Sequence, residues 1–433
     1  MLVILGCGES GMGAALLAHK LAIPVFVSDS GIIKDEFKKH LIDEEIDFEE
    51  GGHTIIYEFT PSFVVKSPGI PDSSDVVKYY IERNIEVISE IEFAYRNCTG
   101  KIIAITGSNG KTTTTNLIYH ILKSSNFSVA KVGNIGYSFA RSLAQQTYNY
   151  YVIEVSSFQL DSIVSFKPYI GIILNITPDH LDRYDNNYEK YIASKFRMGL
   201  NQNSQDHLIL YKDPTIVKSY SSINLSSQIS WIQSELTTEE LIYINETEGP
   251  SLKHSTLKGK HNAMNVACAV KACTILGLTK GAIQLAINSF VNDPHRLESI
   301  TSIDGVEYIN DSKATNVDSV YWALDAMKSN VIWIAGGQDK GNDYSILLPL
   351  VKEKVKTLVT LGVDNSKLID YFSPYVTVVD THSIQECVNV CNKISKEGDT
   401  VLFSPACASF DLFKNYMHRG DEFRNEVLKL KTN

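Results

Sequence analysis

The densest concentration of phosphate chemistry in the sequence is Thr106-Gly107-Ser108-Asn109-Gly110-Lys111-Thr112-Thr113. Glycines let backbone N–H groups turn inward around an anion, and a helix N-terminus behind them adds partial positive charge. The Lys111 ammonium can reach terminal phosphates, and the Thr112 hydroxyl can ligate Mg²⁺. The loop is a shortened one: Ile105 stands where the usual spacing puts the first glycine, leaving G-x-x-G-K-T. The plainer reading is a glycine turn before a helix. Against it, the buried-strand run Ile102-Ile103-Ala104-Ile105 precedes the loop and a helical pattern through Asn116, Leu117, Ile118, Ile121 and Leu122 follows.

Other residue types suit the same chemistry. Glu154 lies near the end of an apolar run from Tyr150 to Val155, and an acid there is a natural Mg²⁺ ligand. His180 follows the apolar run Tyr169–Ile176; the residues alone leave it open between a hydrogen-bonded strand-end histidine and a ligand. Lys313 and Lys340 are either ordinary surface lysines or point charges for a carboxylate substrate, and Gly336-Gly337-Gln338-Asp339-Lys340-Gly341 has the look of a second anion loop. Gly6-Cys7-Gly8-Glu9-Ser10-Gly11 follows the strand-like Leu2–Leu5, opens a helix and precedes a second strand ending at Asp29. That is a dinucleotide-type fingerprint, which specifies a pyrophosphate at a helix N-terminus without naming the nucleotide.

These groups must be positioned by strands that alternate with helices, which predicts mostly parallel sheets covered on both faces, with ligands at the C-terminal strand ends. Apolar runs at Val331–Ala335, Thr357–Leu361, Val376–Val379 and Thr400–Ser404 predict another such sheet. Residues 201–257 are rich in Ser, Thr, Asn and Gln and read as short strands and loops, followed by helices near 260–272 and 281–290. The expected architecture is α/β in three domains: 1–97 Rossmann-like, 98–292 a central P-loop ATPase-like parallel sheet, and 293–433 a second Rossmann-like fold. A hydrophobic content of 44% and a charged content of 21% are those of a globular protein. The net charge of −10 argues against nucleic acid as partner. No run of 18 apolar residues predicts a membrane span, no basic leader predicts export, and seven scattered cysteines predict reduced thiols in the cytoplasm.

Eight motifs in order resemble the Mur ligases, the ATP-dependent amide-forming family of peptidoglycan synthesis. They are Gly107–Thr113, Gly133-Asn134-Ile135-Gly136, Glu154–Leu160, Asn175–Asp182, His261–Asn265, Pro294-His295-Arg296, Asn310–Asn316 and Ser404–Asp411. They span nearly the whole chain, and the last two resemble the glutamate-adding branch. The resemblance implies an enzyme that joins D-glutamate to UDP-N-acetylmuramoyl-L-alanine through an acyl phosphate, with ATP and two Mg²⁺, as a cytoplasmic monomer with no membrane partner. It implies that Gly107, Ser108, Asn109, Gly110, Lys111, Thr112 and Thr113 hold the ATP phosphates. Thr112 and Glu154 would serve one metal, His180 and a carbamylated Lys195 the second. Asn262, Asn265, Arg296 and Asp311 match adenosine-end positions. Lys313, Thr315, Lys340, Ser409 and Tyr416 match the D-glutamate pocket, although Tyr416 stands where Phe is expected. Ser10, Ser30 and Asn134 match UDP-sugar contacts, and Gly31 stands where other members carry Arg.

Lys195 shares the apolar stripe of Tyr188, Tyr191 and Ile192, at helical spacing. Either it snorkels to water or it points inward, where burial would favour the neutral amine that reacts with CO₂. Other functional classes compete with the ligase. A nicotinamide oxidoreductase accounts for Asp29 but not for the central loop; a nucleotide switch leaves Glu154 and His180 unused; and a sibling ligase, either another Mur enzyme or one like folylpolyglutamate synthase, would differ in its amino acid.

Overall fold

The computed structural model describes residues 1–257, 259–327 and 330–431. The chain forms two compact units, Met1–His254 with Met264–Phe290, and Ser255–Ala263 with Val291–Asn433.

The first unit holds two parallel sheets. Strands β1 (Leu2–Leu5), β2 (Val25–Asp29), β3 (Asp47–Glu50), β4 (Phe63–Lys66) and β5 (Glu86–Ser89) lie in the order β3-β2-β1-β4-β5. The order reverses direction at β1, so the first glycine loop leaves the sheet at a switch point. The second sheet is built of β6 (Lys101–Thr106), β7 (Val129–Gly133), β8 (Tyr150–Glu154), β9 (Ile170–Ile173), β10 (His207–Tyr211) and β11 (Gln228–Ile232), in the order β11-β10-β9-β6-β8-β7. Here β6 is the switch strand, with β8 on one side and β9 on the other. A small antiparallel sheet, β12 (Ser234–Leu236), β13 (Leu241–Ile244) and β14 (Thr247–Ser251), completes the unit.

One apolar core joins both parallel sheets: Ile4, Met12 and Ala15 belong to the same buried cluster as Ala104, Phe139 and Tyr151. Gly13 is needed for that packing, since a Cβ there would fall 1.9 Å from Ser138 Oγ. The buried Glu92 carboxylate adds a polar tie, accepting the N–H groups of Val164 (3.0 Å), Ser165 (3.0 Å) and Phe166 (2.8 Å) and the Arg96 guanidinium (2.9 Å). Its ionised form is favoured by these donors, which hold it below the usual carboxylate range despite burial.

The second unit is a sheet in the order β15-β16-β20-β17-β18-β19, with β15 (Glu298–Ile303), β16 (Val306–Asn310), β17 (Val331–Gly336), β18 (Val355–Leu361), β19 (Thr377–Thr381) and β20 (Thr400–Ala406). Only β15 runs antiparallel, as a hairpin with β16. Side chains alternate across the pleat. Ile332 and Ile334 enter one core cluster, while Trp333 and Ala335 enter the cluster on the opposite face.

The expected three-domain α/β architecture is therefore present as three parallel-type sheets. Residues 201–257 contain the anticipated short strands. Two of them, β10 and β11, extend the central parallel sheet, and the helix Pro214–Tyr220 connects that pair. Strands β3, β5, β15 and β16 were not anticipated.

Candidate functional site

Strand β6 is buried from Ile102 to Thr106 and delivers its chain straight into the glycine loop, after which the helix Lys111–Ser124 begins. Gly107 and Gly110 have φ of +151° and +84°, conformations that side chains resist. A Cβ on Gly110 would also lie 2.2 Å from Asn265 Oδ1. The loop is clasped from the neighbouring strand end. Asn175, just past β9, accepts the Asn109 N–H at 2.8 Å and donates its amide to Asn109 O at 3.0 Å. Ser108 Oγ donates to Thr177 O at 2.8 Å, accepts the Thr177 N–H at 3.0 Å and meets the Tyr191 hydroxyl at 3.0 Å.

Two lysines converge on one carbonyl. Gly107 O accepts from Lys111 Nζ at 2.8 Å and from Lys195 Nζ at 3.0 Å, and Lys111 also donates to Ser108 O at 2.8 Å. Lys195 is 2% exposed, so the inward reading of its helix stripe holds and the snorkelling one does not. Burial, and then repulsion from Lys111, drive its pKa well below the ordinary lysine value.

On the other side of β6, Ile105 pairs with Glu154 of β8. Glu154 is 2% exposed; its Oε1 accepts the Asn134 amide at 2.9 Å and its Oε2 is buried with no hydrogen-bond partner. Gly133 brings the Asn134 loop this close, for a Cβ there would fall 2.3 Å from Glu154 O. A carboxylate oxygen is not left unpaired in an apolar interior without cost, and an unpaired carboxylate oxygen is the kind of hard donor that suits Mg²⁺. Among the described residues no three His, Cys, Asp or Glu side chains converge as a metal cage. His180 is half-exposed with a left-handed φ of +52°; its N–H bonds Asp179 Oδ1 at 2.9 Å and its ring lies edge-on to Phe158.

At the first sheet, Ser10 lies in the helix Glu9–Lys20 and Ser30 is exposed just past β2. Asp29 is already engaged by backbone: Oδ2 accepts the Cys7 N–H at 2.6 Å and Oδ1 the Gly31 N–H at 2.8 Å. In a dinucleotide site that acid serves the ribose hydroxyls; here it folds the glycine loop against the β2 end.

In the second unit Asp311, past β16, is buried, bonded by Ser404 Oγ at 2.8 Å and the Leu297 N–H at 3.2 Å. Burial pushes its carboxyl up to about 7, against the pull of Ser404 and nearby Arg296. Asn262 is buried in the same unit, and Arg296 keeps Nε buried without a partner. Lys313 Nζ lies 5.3 Å from the Tyr416 ring centroid, a cation–π distance, so the Tyr at this position stacks on the lysine. Ser409 is buried, whereas Thr315 and Lys340 are exposed. The loop carrying Lys340 is set by Asp339, which accepts the N–H groups of Gly341 and Asn342, the Lys367 ammonium and the Tyr344 hydroxyl.

Sequence reasoning missed Arg419, and it gave no individual role to Asn175 or Asp339, although both lie in stretches it singled out. Arg419 is 1% exposed and donates to Ser312 Oγ (3.0 Å), Ser312 O (2.8 Å) and Cys407 O (3.1 Å), fastening the loops after β16 and β20 to each other. Burial lowers its guanidinium to about 10, which leaves it charged at neutral pH. Its only sequence signal is the Gly420 beside it, where a Cβ would fall 2.2 Å from His295 Nδ1.

Comparison with known proteins matches the chain in three parts. The family descriptions "MurD N-terminal domain", "Mur ligase middle domain" and "Mur ligase, glutamate ligase domain" match residues 2–76, 105–273 and 295–407. The UDP-N-acetylmuramoylalanine–D-glutamate ligases of Cytophaga hutchinsonii and Bacteroides fragilis are 47% and 43% identical, each match covering 99% of both chains. Among solved structures, the UDP-N-acetylmuramate–alanine ligase of Thermotoga maritima aligns over 100% of this chain and 99% of its own, with TM-score 0.62 and 19% identity. A folylpolyglutamate synthase of Mycobacterium tuberculosis aligns over 71% of this chain and 89% of its own, with TM-score 0.58 and 12% identity. These two share the fold.

Proposed function

The chain belongs to the UDP-N-acetylmuramoylalanine–D-glutamate ligases of the Mur ligase family, and on that premise we propose the role of each side chain. It is an ATP- and Mg²⁺-using ligase of peptidoglycan synthesis that joins D-glutamate to UDP-N-acetylmuramoyl-L-alanine. The observation that carries the site assignment is the buried, unpartnered Glu154 Oε2 on the strand beside the phosphate loop.

A carboxylate does not condense with an amine in water. Transfer of the γ-phosphoryl of ATP onto the L-alanine carboxylate gives an acyl phosphate and ADP. The D-glutamate nitrogen then attacks the carbonyl carbon, and the tetrahedral intermediate expels phosphate. The phosphoryl step needs positioning and charge neutralisation above all. Backbone N–H groups from Gly107 to Thr113 cradle the phosphates and Lys111 swings from the loop carbonyls to the β/γ-phosphates. Thr112 and Glu154 would hold one Mg²⁺, and His180 with Lys195 would serve a second; when bound, such ions would supply charge neutralisation to the phosphoryl transfer. Lys195 does so as a carbamate. A neutral, buried amine adds CO₂ and loses a proton to solvent, giving an anion with two oxygens beside the Lys111 ammonium that shares Gly107 O.

Asn262, Asn265, Arg296 and Asp311 hold the adenosine end. Lys313 and Lys340 meet the two carboxylates of D-glutamate, with Thr315, Ser409 and Tyr416 lining that pocket. Ser10, Ser30 and Asn134 contact the UDP-sugar. The domains run 1–97, 98–292 and 293–433. The enzyme works as a cytoplasmic monomer with neither nucleic acid nor membrane as partner; among the described residues no helix is long and apolar enough to cross a membrane.

Glu154→Gln tests the assignment. It is isosteric and keeps the acceptor for Asn134, so folding and UDP-N-acetylmuramoyl-L-alanine binding persist, while Mg²⁺-dependent turnover falls by about 10²-fold or more. Near-normal turnover would remove Glu154 from the metal site.

A further inference from the structure

A cleft of about 700 Å³ in the first unit shares no lining residue with the phosphate, metal or substrate positions assigned above. Its walls come from the edge strand β11, the hairpin β13–β14 and two helices, Lys260–Ile275 and Lys280–Ser289. Small-molecule sites typically measure about 300–1,000 Å³, so the size is right for one. The second helix is anchored to the hairpin: Gln284 accepts the Ser251 N–H at 2.8 Å and donates to Ser251 O at 2.9 Å. Gly249 and Gly281 stand in the walls and supply no side chain to fill the space.

The lining groups differ in what they have left to offer. Trp231, Ile232, Ile244, Pro250, Val270 and Ile283 make an apolar surface, and the Trp231 ring is braced edge-on by Tyr220 at 5.2 Å. Three polar side chains are already engaged. Besides the Gln284 pair, Asn245 accepts the Gln233 N–H at 2.8 Å and donates to Trp231 O at 2.8 Å, and the Thr274 hydroxyl donates to Val270 O at 2.7 Å. Lys271 and Lys280 remain, one from each helix, the first half-buried and the second exposed. Among the described residues neither has a hydrogen-bond or ion-pair partner. The one carboxylate in the walls, Glu248, is exposed on β14. An apolar surface rewards an apolar body, and two unpaired ammonium groups against one exposed acid favour an anion.

We propose that this cleft is a binding site for a small amphipathic anion, a compact apolar ring system carrying one carboxylate. The ring lies against Trp231, Val270 and Ile283, and the carboxylate is met by Lys271 and Lys280.

The test follows the indole N–H signals of the ¹⁵N-tryptophan-labelled full chain during titration with 2-naphthoate and with its neutral analogue 2-naphthylmethanol. Of the three tryptophans only Trp231 lines the cleft, and Trp231→Phe identifies its signal. Both probes should shift that signal saturably in wild type, with 2-naphthoate binding about tenfold more tightly, as for one charge-assisted contact. Lys271→Gln combined with Lys280→Gln should weaken 2-naphthoate about tenfold and leave 2-naphthylmethanol unchanged. Thr274→Trp, which fills the cleft from an exposed helix position, should block both probes. The inference is overturned by no saturable shift of Trp231, by equal affinity for acid and alcohol in wild type, by a preference for the acid that survives in the double variant, or by a Trp231 response that survives in Thr274→Trp. Sedimentation showing a dimer that Thr274→Trp disperses would assign the cleft to a second copy of the chain and overturn it as well.

Discussion

Glu90 should make the first unit lose stability as pH rises from about 4.5 to about 7, and Glu90→Gln should abolish that loss. Glu90 begins the helix Glu90–Arg96 and reaches the start of the helix Phe139–Gln145, where Oε1 accepts the Ala140 N–H at 2.5 Å. It is 1% exposed, and Oε2 is buried without a partner. Burial pushes the carboxyl from 4.5 up to about 7, with the Ala140 N–H opposing and the Glu9 charge adding to the rise. A carboxyl whose pKa is raised on folding binds more protons native than unfolded, so stability falls as pH climbs from the unfolded to the folded value. The window is about 4.5 to 7, and a shift of that size corresponds to about 3 kcal/mol at 1.36 kcal/mol per unit. The amide of Glu90→Gln incurs a roughly constant cost of about 1–3 kcal/mol for its unpaired N–H groups, which cancels when the variant is compared with wild type across pH. The difference between them should therefore move by about 2.5 kcal/mol in favour of the variant between pH 5 and pH 8. Hydrogen exchange of amides in Phe139–Gln145, within urea series at each pH, reads this locally and avoids assuming one transition for two units. Parallel profiles for the two proteins would refute the reasoning.

The remaining predictions concern catalysis. Lys111→Ala should abolish ATP-dependent turnover while leaving the fold intact, and near-normal phosphate release would remove the loop assignment. Lys313→Ala and Lys340→Ala should each raise the KM for D-glutamate about tenfold or more, since a charge-assisted contact is worth about 1.5–3 kcal/mol, with ATP binding unchanged; unaltered glutamate dependence in both would refute the pocket. Turnover should fall when CO₂ and bicarbonate are stripped out and return when they are restored. Lys195→Ala should be folded and nearly inactive, with partial rescue by short-chain carboxylates; an active Lys195→Ala enzyme would end the carbamate reading.

The strand, glycine loop and helix of Lys101–Ser124 were legible because their signals are local: the apolar run, the glycines, Lys111 and Thr112 lie in one unbroken stretch. Lys195 was legible as an odd residue on an apolar stripe, and its burial resolves two readings that the stripe alone left open. What stayed hidden depends on distant neighbours. Strand β3 is Asp47-Phe48-Glu49-Glu50, a sequence with no apolar alternation, and it is a strand because it pairs with β2 and because four donors around the Thr54 turn satisfy Glu49. Arg419 reads as one more charge on an amphipathic helix, yet it is buried on carbonyls contributed by residues 312 and 407. Glu154 announced itself only as an acid closing a strand. Its unpartnered oxygen, the feature that argues for a metal, exists only once Asn134 occupies the other oxygen.

The central claim is that this ligase activates UDP-N-acetylmuramoyl-L-alanine for D-glutamate. The most direct measurement is ADP release from ATP and Mg²⁺ with UDP-N-acetylmuramoyl-L-alanine present, across a panel of D-glutamate, L-glutamate, L-alanine, meso-diaminopimelate and D-alanyl-D-alanine. The account predicts sustained release with D-glutamate alone, accompanied by the amide product. Release driven by a different member of the panel, or at the same rate with none added, would contradict it.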